Sequence, residues 1–153
     1  MIDLLIGAAL EAAHDDWRLE QPSRSVHASV IRQAARIPDR LRPWASCVLA
    51  RESGASLDRP YSGAGARNPS SSAQGRWQFL DNAWRQGLAY MVAGRLKAHG
   101  MPRGDARQLR EWLHDTPIAA WPAPYQDIGF VAVVLSGGQH HWNGPGCSGL
   151  APR

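Results

Sequence analysis

One long polar stretch divides this chain and limits what it can fold into. Residues 53–75, SGASLDRPYSGAGARNPSSSAQG, are dense in Gly, Ser, Pro and Asn and show neither helical nor strand periodicity. Helical patterns lie on both sides of this stretch. A segment of this length without regular structure is uncommon inside a compact domain and usually serves a function. We therefore expect a long loop or a small irregular β lobe that lines a site.

The rest of the chain is predominantly helical by pattern. Apolar spacing predicts five helices. The first is capped by Ser23 or Ser25, and the second starts at Pro43. The third and fourth are capped by Asp81 and Asp105, and the fifth runs from Gln126 to Leu135. The helix from Pro43 stops at Gly54, which places Glu52 in its last turn. The predicted fold class is mostly α, of the α+β type, with a helical domain and a small β or loop lobe.

The 153 residues suffice for one domain with a real core, preceded by a separable head. We predict an acidic amphipathic helix over residues 1–22 and the main domain over residues 23–153. Residues 1–20 carry five acidic side chains against Arg18, which gives them a net charge of −4. Since the whole chain has a net charge of +4, residues 21–153 carry +8. No apolar run reaches the roughly 18 residues that span a bilayer, so membrane insertion is not expected. The N-terminal residues lack a basic n-region and do not resemble a signal peptide.

The positive charge of the main part favours an anionic partner, either nucleic acid or an acidic wall polymer. No helix interleaves a Lys/Arg stripe with aromatic residues, so nucleic acid is not the expected partner. His140 and His141 are adjacent, with no acidic residue near in sequence, so we expect no metal site there and no cofactor. These two residues and Trp142 are expected to shape the wall of a cleft instead.

Two cysteines, Cys47 and Cys147, occur without the spacing of a zinc site. A disulfide and two reduced core thiols are both open, and we favour the disulfide. Such a bridge would close a long loop and would imply an oxidising compartment.

A longer pattern connects these features. Glu52-Ser53-Gly54 is followed by Asn68-Pro69, by the segment Ser72-Ala73-Gln74-Gly75-Arg76-Trp77-Gln78-Phe79 and by Trp84. Over roughly residues 41–147 this order resembles the lysozyme-like superfamily, specifically the lytic transglycosylase and resuscitation-promoting-factor group. The resemblance implies a lysozyme-like fold with a glycan cleft. It also implies cleavage of the β-1,4 bond between N-acetylmuramic acid and N-acetylglucosamine in peptidoglycan, with Glu52 protonating the departing oxygen.

The resemblance also bears on the mechanism. A lysozyme that uses two carboxylates needs the second one across the scissile bond. No Asp or Glu lies between Asp58 and Asp81, which favours the single-acid transglycosylase route. Asp58 remains the reserve second carboxylate, and its alternative role is to stabilise a turn beside Arg59.

Four more residues are candidates for substrate binding. Gln78 matches the Gln on the floor of the family's cleft, where it either binds substrate or satisfies loop backbone. Ser72 matches a Ser that contacts an acetamido group, or is a turn Ser. Tyr61 and Trp77 are candidates to stack on sugar faces, although Trp77 is equally suited to the core. Arg76 and Trp77 stand where the family has smaller residues.

A predicted disulfide without a signal peptide suggests a bacteriophage protein that acts at the bacterial cell wall. It would be a virion component or an endolysin released with a holin, and residues 1–20 would contact other virion proteins. The alternative hypothesis keeps the fold without turnover, as a glycan-binding or structural virion protein.

Overall fold

The computed structural model describes residues 22–152 of the chain. The helix predicted over residues 1–22 lies, apart from Pro22, outside the described residues. The described elements are α1 (Pro22–Ala35), α2 (Arg42–Ser53), β1 (Ala73–Gln74), β2 (Phe79–Leu80), α3 (Asp81–Ala98), α4 (Arg103–Asp115) and α5 (Ala123–Leu135), with short 3-10 turns at Asp39–Leu41, Ile118–Ala120, Gly138–Trp142 and Ser148–Leu150. The predicted mostly α fold with a small β lobe is confirmed for this part of the chain.

The helix that carries Glu52 begins and ends for local reasons. Pro43 occupies its first turn, where the missing N–H is not needed. Gly54 ends it in the left-handed conformation, with φ +67°, and its N–H donates to the carbonyl of Ala50 at 2.9 Å. The predicted end of this helix is confirmed.

Four predicted helix starts differ from the observed ones by a few residues. Ser23 lies inside α1, because the helix begins at Pro22. Asp81 and Asp105 lie in the first turns of α3 and α4 and make no cap. Asp81 Oδ1 instead accepts a hydrogen bond from the Ile118 N–H at 2.8 Å. The last helix, α5, begins at Ala123 because Pro124 is well suited to a first turn.

The core is organised around α5, which is buried along most of its length. Its Phe130 ring stacks on Trp77 with the centroids 3.6 Å apart, and Trp44 packs against it at 5.7 Å. Helices α1 and α3 pack on the same helix. Gly129 allows the approach of α3, because a Cβ there would lie 2.9 Å from Leu88 Cδ1. Apart from Gln126 and Asp127 near its start this helix is apolar on all faces, and its burial accords with that composition.

The loop over residues 53–75 forms the expected small irregular lobe. Strands β1 and β2 pair antiparallel, with Ala73 opposite Leu80. A single buried amide, Gln126 of α5, fastens the lobe: its Oε1 accepts from the Arg76 N–H at 2.8 Å, and its Nε2 donates to the carbonyl of Ala64 at 3.0 Å. Buried backbone groups in a loop need such partners. The lobe is thereby held against the helical part.

No helix in the described residues is both long enough and apolar enough to cross a membrane.

Candidate active site

Glu52 projects from the last turn of α2, and its side chain is 25% exposed. Its Oε1 accepts two hydrogen bonds from Arg51, from Nε at 3.0 Å and from Nη2 at 2.7 Å. Within residues 22–152 its Oε2 has no hydrogen-bond partner. One carboxylate oxygen is therefore held in place while the other is able to meet a ligand.

Arg51 also joins the end of α2 to the C-terminal segment. Its Nη2 donates to the carbonyl of Trp142 at 2.8 Å. Gly144 packs directly on the guanidinium, since a Cβ there would lie 2.6 Å from Arg51 Nη1. The predicted disulfide is confirmed: Cys47, one turn earlier in α2, is bonded to Cys147 with the Cα atoms 5.8 Å apart. Two independent links thus hold this segment beside Glu52.

An aromatic cluster lies where the C-terminal segment meets β2 and α3. The ring of Trp142 contacts Phe79 edge to face at 5.6 Å, and its Nε1 donates to the carbonyl of Trp77 at 3.0 Å. The Trp84 ring lies 4.4 Å from the His141 ring. Burial, followed by the charge of His140, lowers the pKa of His141. His141 therefore presents a neutral ring at neutral pH.

Two cavities meet at this cluster. One of about 110 Å³ is lined by Gln78, Phe79, Leu80, Trp84, His141 and Trp142. A larger one of about 460 Å³ shares Trp84 and His141 and continues along α3 past Gly87 and Met91. Together they form a mainly apolar, aromatic-lined recess of the kind that small-molecule and sugar sites use.

Gln78 satisfies loop backbone, which is one of the two roles that the sequence left open, and its role in binding substrate stays a prediction. Its Nε2 donates to the carbonyl of Gly75 at 2.9 Å, which satisfies loop backbone. Its Oε1 has no partner in the described part of the chain, and the residue lines the smaller cavity. Its φ of +54° is the only positive value of a non-glycine residue among residues 22–152. Such a strained conformation is often kept where a side chain must be aimed.

Glu52 is not among the residues that line either cavity, and three other predicted site residues also lie apart from this recess. Ser72 Oγ donates to Asn82 Oδ1 at the start of α3. Tyr61 is 50% exposed on the loop. Asp58 is exposed in the tight turn that Ser56 and Arg59 close, where its N–H donates to Ser56 Oγ at 3.2 Å. None of these three residues lines either cavity at Trp84.

Trp77 takes the second of its two possible roles. It is fully buried and stacks on Phe130, so its ring has no face for a sugar. Arg76 and Trp77 are therefore both part of the core.

Asp127 is a buried carboxylate that the sequence analysis did not single out. Its Oδ1 accepts from Trp77 Nε1 at 2.8 Å and lies 3.2 Å from Arg76 Nε. Burial raises its pKa to about 6, although Arg76 and the Trp77 hydrogen bond act in the opposite direction. An acidic residue beside Gln126 near the start of a strongly apolar helix is the signal that marks it in the sequence. It lines a cavity of about 290 Å³ that Glu52 does not share.

Asp127 is the charge partner of Arg76, which is itself buried. The Arg76 side chain is 1% exposed, and its guanidinium donates to the carbonyls of Pro60 and Ser56 in the loop. Ser53 Oγ in turn donates to the Arg76 carbonyl at 2.8 Å. The hydrogen bond between Ser53 and Arg76 joins the loop lobe to the residue after Glu52. Arg76 therefore helps to position the end of α2.

Within the described residues, no group of three or more His, Cys, Asp or Glu side chains is arranged to hold a metal ion. Comparison of the chain with protein-family models, with curated proteins and with solved structures finds no match.

Proposed function

We propose that this chain is a peptidoglycan glycosidase of the lytic transglycosylase type, with Glu52 as its acid. The observation that carries the proposal is the carboxylate of Glu52, with Oε1 fixed by Arg51 and Oε2 without a partner in residues 22–152. A general acid must be held in a defined position and must still reach the leaving oxygen. The order of motifs from Glu52 to Trp84 supports the substrate class.

In the proposed reaction the Oε2 proton of Glu52 passes to the glycosidic oxygen of the departing N-acetylglucosamine. The bond from that oxygen to C1 of N-acetylmuramic acid breaks, and the acetamido oxygen of the same sugar bonds to C1. The Glu52 carboxylate then takes the proton of the 6-hydroxyl group, whose oxygen displaces the acetamido oxygen at C1. No water is consumed, and the product ends in a 1,6-anhydro ring.

The single-acid route is supported by the surroundings of the two other candidate carboxylates. Asp58 is exposed in a tight turn. Asp127 has its Oδ1 engaged by Trp77 and Arg76 and faces a different cavity. A two-carboxylate mechanism needs a second acid held across the scissile bond, and neither is held in this way.

The aromatic recess supports a glycan as the substrate. Trp84 and His141 present ring faces and edges beside the Gln78 amide, and Trp142, which is 5% exposed, packs behind them. Sugar rings have apolar faces that pack on aromatic rings, whereas their acetamido and hydroxyl groups need a polar acceptor such as Gln78 Oε1. We assign to Gln78 the orientation of the sugar. Ser72 and Tyr61 lie farther out on the loop, so we assign them no contact with the sugar that is cleaved.

The proposed place of action is the bacterial cell wall, with delivery as a bacteriophage virion component or by release with a holin. A disulfide in the described fold is compatible with an oxidising location. The role of residues 1–20 in contacting other virion proteins stays a prediction.

The test uses purified parent chain, Glu52→Gln and Glu111→Gln with bacterial peptidoglycan sacculi. Glu111 is an exposed glutamate on α4, so its replacement makes the same chemical change away from the site. We expect anhydromuropeptides, recognised by mass spectrometry as products lighter by one water, from the parent and Glu111→Gln alone. Circular dichroism establishes that all three chains are folded.

Two results would contradict the proposal. Reducing-end products that lack the anhydro ring would indicate hydrolysis and return Asp58 to consideration. No products from any folded chain, together with binding to sacculi, would favour the glycan-binding or structural virion protein.

A further inference from the structure

A groove between α3 and α4 concentrates positive charge, and Glu52 is not among its lining residues. Its volume is about 450 Å³. Four cationic side chains line it, Lys97 from α3 and Arg103, Arg107 and Arg110 from α4, and no acidic residue does. The proposed glycosidase reaction uses none of these residues.

The helical spacing of the arginines accounts for this concentration. Arg103, Arg107 and Arg110 follow one another at i, i+4 and i+7, which places them on one face of α4. They extend over about 10 Å along the helix axis. The N-terminal end of α4 adds the partial positive charge of its free N–H groups. The result is a line of charge rather than a point.

The protein does not neutralise this line in the described part of the chain. Among residues 22–152, Lys97, Arg103 and Arg107 form no ion pair. Asp105, which lies within the same turn, is engaged by His27 Nε2 at 2.9 Å. Glu111 approaches Arg110 only to 3.9 Å and is 59% exposed. Like charges held together favour an external anion, which relieves their repulsion.

The floor of the groove is made of small residues, which keeps it open. Gly94 lies in the middle of α3, and a Cβ there would meet no atom within 4 Å. Tyr90 lies beside it, with the guanidinium of Arg110 stacked 4.6 Å from the ring centroid. Arg110 therefore occupies one face of the Tyr90 ring, while the residue as a whole is 57% exposed.

We propose that this groove binds a linear, phosphate-bearing anionic polymer of the bacterial wall. The line of cations matches repeated phosphate groups along a polymer. Arginine suits phosphate because its guanidinium donates two parallel hydrogen bonds to two phosphate oxygens. Single-stranded nucleic acid is disfavoured, because its binding relies on several aromatic faces for successive base stacking, whereas Tyr90 is the one aromatic residue that lines the groove and Arg110 occupies one of its faces. The choice of a wall polymer rests on the proposed function, whereas the preference for a polyanion rests on the groove itself.

The probe is synthetic poly(glycerol phosphate), and the protein is the full chain. Binding is measured by calorimetry at several salt concentrations. We expect Arg103→Gln/Arg107→Gln to weaken binding by at least about tenfold and to reduce the slope of log affinity against log salt by about 2. The matched control, Arg40→Gln/Arg42→Gln, removes two exposed charges outside the groove and should weaken binding less than about threefold.

A second variant tests the groove without changing its charge. Gly94→Leu extends into the open space above Gly94 and places a better helix former inside α3, so we expect the fold to be kept, which circular dichroism measures. We expect it to weaken binding as the double arginine variant does. Gly65→Leu, an open loop glycine away from the groove, is its control.

Two outcomes would overturn the proposal. If Arg103→Gln/Arg107→Gln and the control Arg40→Gln/Arg42→Gln lose equal affinity, the binding depends on overall charge and not on the groove. Equal affinity for oligodeoxythymidine of the same charge, with the same response to the groove variants, would assign the groove to nucleic acid. Poly(glycerol phosphate) contains no glycosidic bond, so the result is independent of whether Glu52 proves to be catalytic.

Discussion

Nη2 of Arg51 lies 2.8 Å from the carbonyl oxygen of Trp142 and 2.7 Å from Oε1 of Glu52. One guanidinium therefore sets the position of the proposed acid relative to the aromatic recess. The contact joins residues 91 positions apart.

Replacing Arg51 by Lys keeps the charge but removes the forked guanidinium, which donates both to Glu52 Oε1 and to the carbonyl oxygen of Trp142. We expect kcat on sacculi to fall by about 10- to 100-fold, because small displacements of a catalytic group are costly. Arg85→Lys is the control, since Arg85 pairs with Asp81 on α3. An Arg51→Lys chain with the parent's kcat would show that this guanidinium does not position Glu52.

The disulfide should contribute strongly to stability. Cys47 and Cys147 are 100 residues apart, and in the chain-entropy model a loop of this size stabilises the fold by about 4–5 kcal/mol. We expect Cys47→Ala/Cys147→Ala to lose most of that free energy of unfolding in urea titrations. Reductant should bring the parent to the level of the variant and leave the variant unchanged. A parent whose urea midpoint ignores reductant would contradict this.

Gly75 is required by a close approach. Its φ is +78°, and a Cβ would lie 2.3 Å from Oε1 of Gln126. We expect Gly75→Ala to lower the free energy of unfolding by about 2–4 kcal/mol through strain and displacement of the amide that fastens the loop. Gly65→Ala, where the space is open, should change it by less than about 1 kcal/mol. Equal effects of the two replacements would refute the role of Gln126 here.

Asp127 should make stability fall as the pH rises from about 4 to about 6. Its pKa in the fold, about 6, exceeds the ordinary 3.8, so the folded state holds the proton over this range while the unfolded state releases it. The stability that this preference adds at low pH is therefore lost as the pH passes through 6, on the order of 2–3 kcal/mol. Thermal unfolding of the parent and of Asp127→Asn across this range measures it, and the variant should lack this decline. A decline of the same size in Asp127→Asn would contradict the assignment.

Gln78 offers a separation of stability from activity. Gln78→Gly removes the side chain that lines the recess and places the residue that tolerates a φ of +54° best. We expect activity on sacculi to fall by about tenfold or more, while the free energy of unfolding changes by less than about 1 kcal/mol. A variant that retains full activity would leave Gln78 with its loop contact alone.

Local signals in the sequence predicted the elements that depend on neighbouring residues. The end of α2 follows from Gly54, and the irregular lobe follows from the composition of residues 53–75. The disulfide was predictable because the chain has only two cysteines. The long-range pairs that hold the loop lobe on the helices were not predictable in this way. Asp127 meets Trp77 across 50 residues, and no local pattern encodes such a pairing.

Helix starts were the weakest predictions, for a related reason. An Asp before an apolar run reads as a cap, yet Asp81 and Asp105 are claimed by partners from other parts of the chain, Ile118 and His27. Tertiary contacts decided which role each side chain took.

The bond between Cys47 and Cys147 closes a covalent ring that contains Glu52, the whole loop lobe and Gln78. A protease that cuts once in the exposed loop opens the backbone but releases no fragment, since both halves stay joined through sulfur. The nicked chain keeps α2 and the C-terminal segment tethered, so the acid and the aromatic recess stay in one molecule. The ring thus allows the loop to remain long without a single backbone cut dividing the chain.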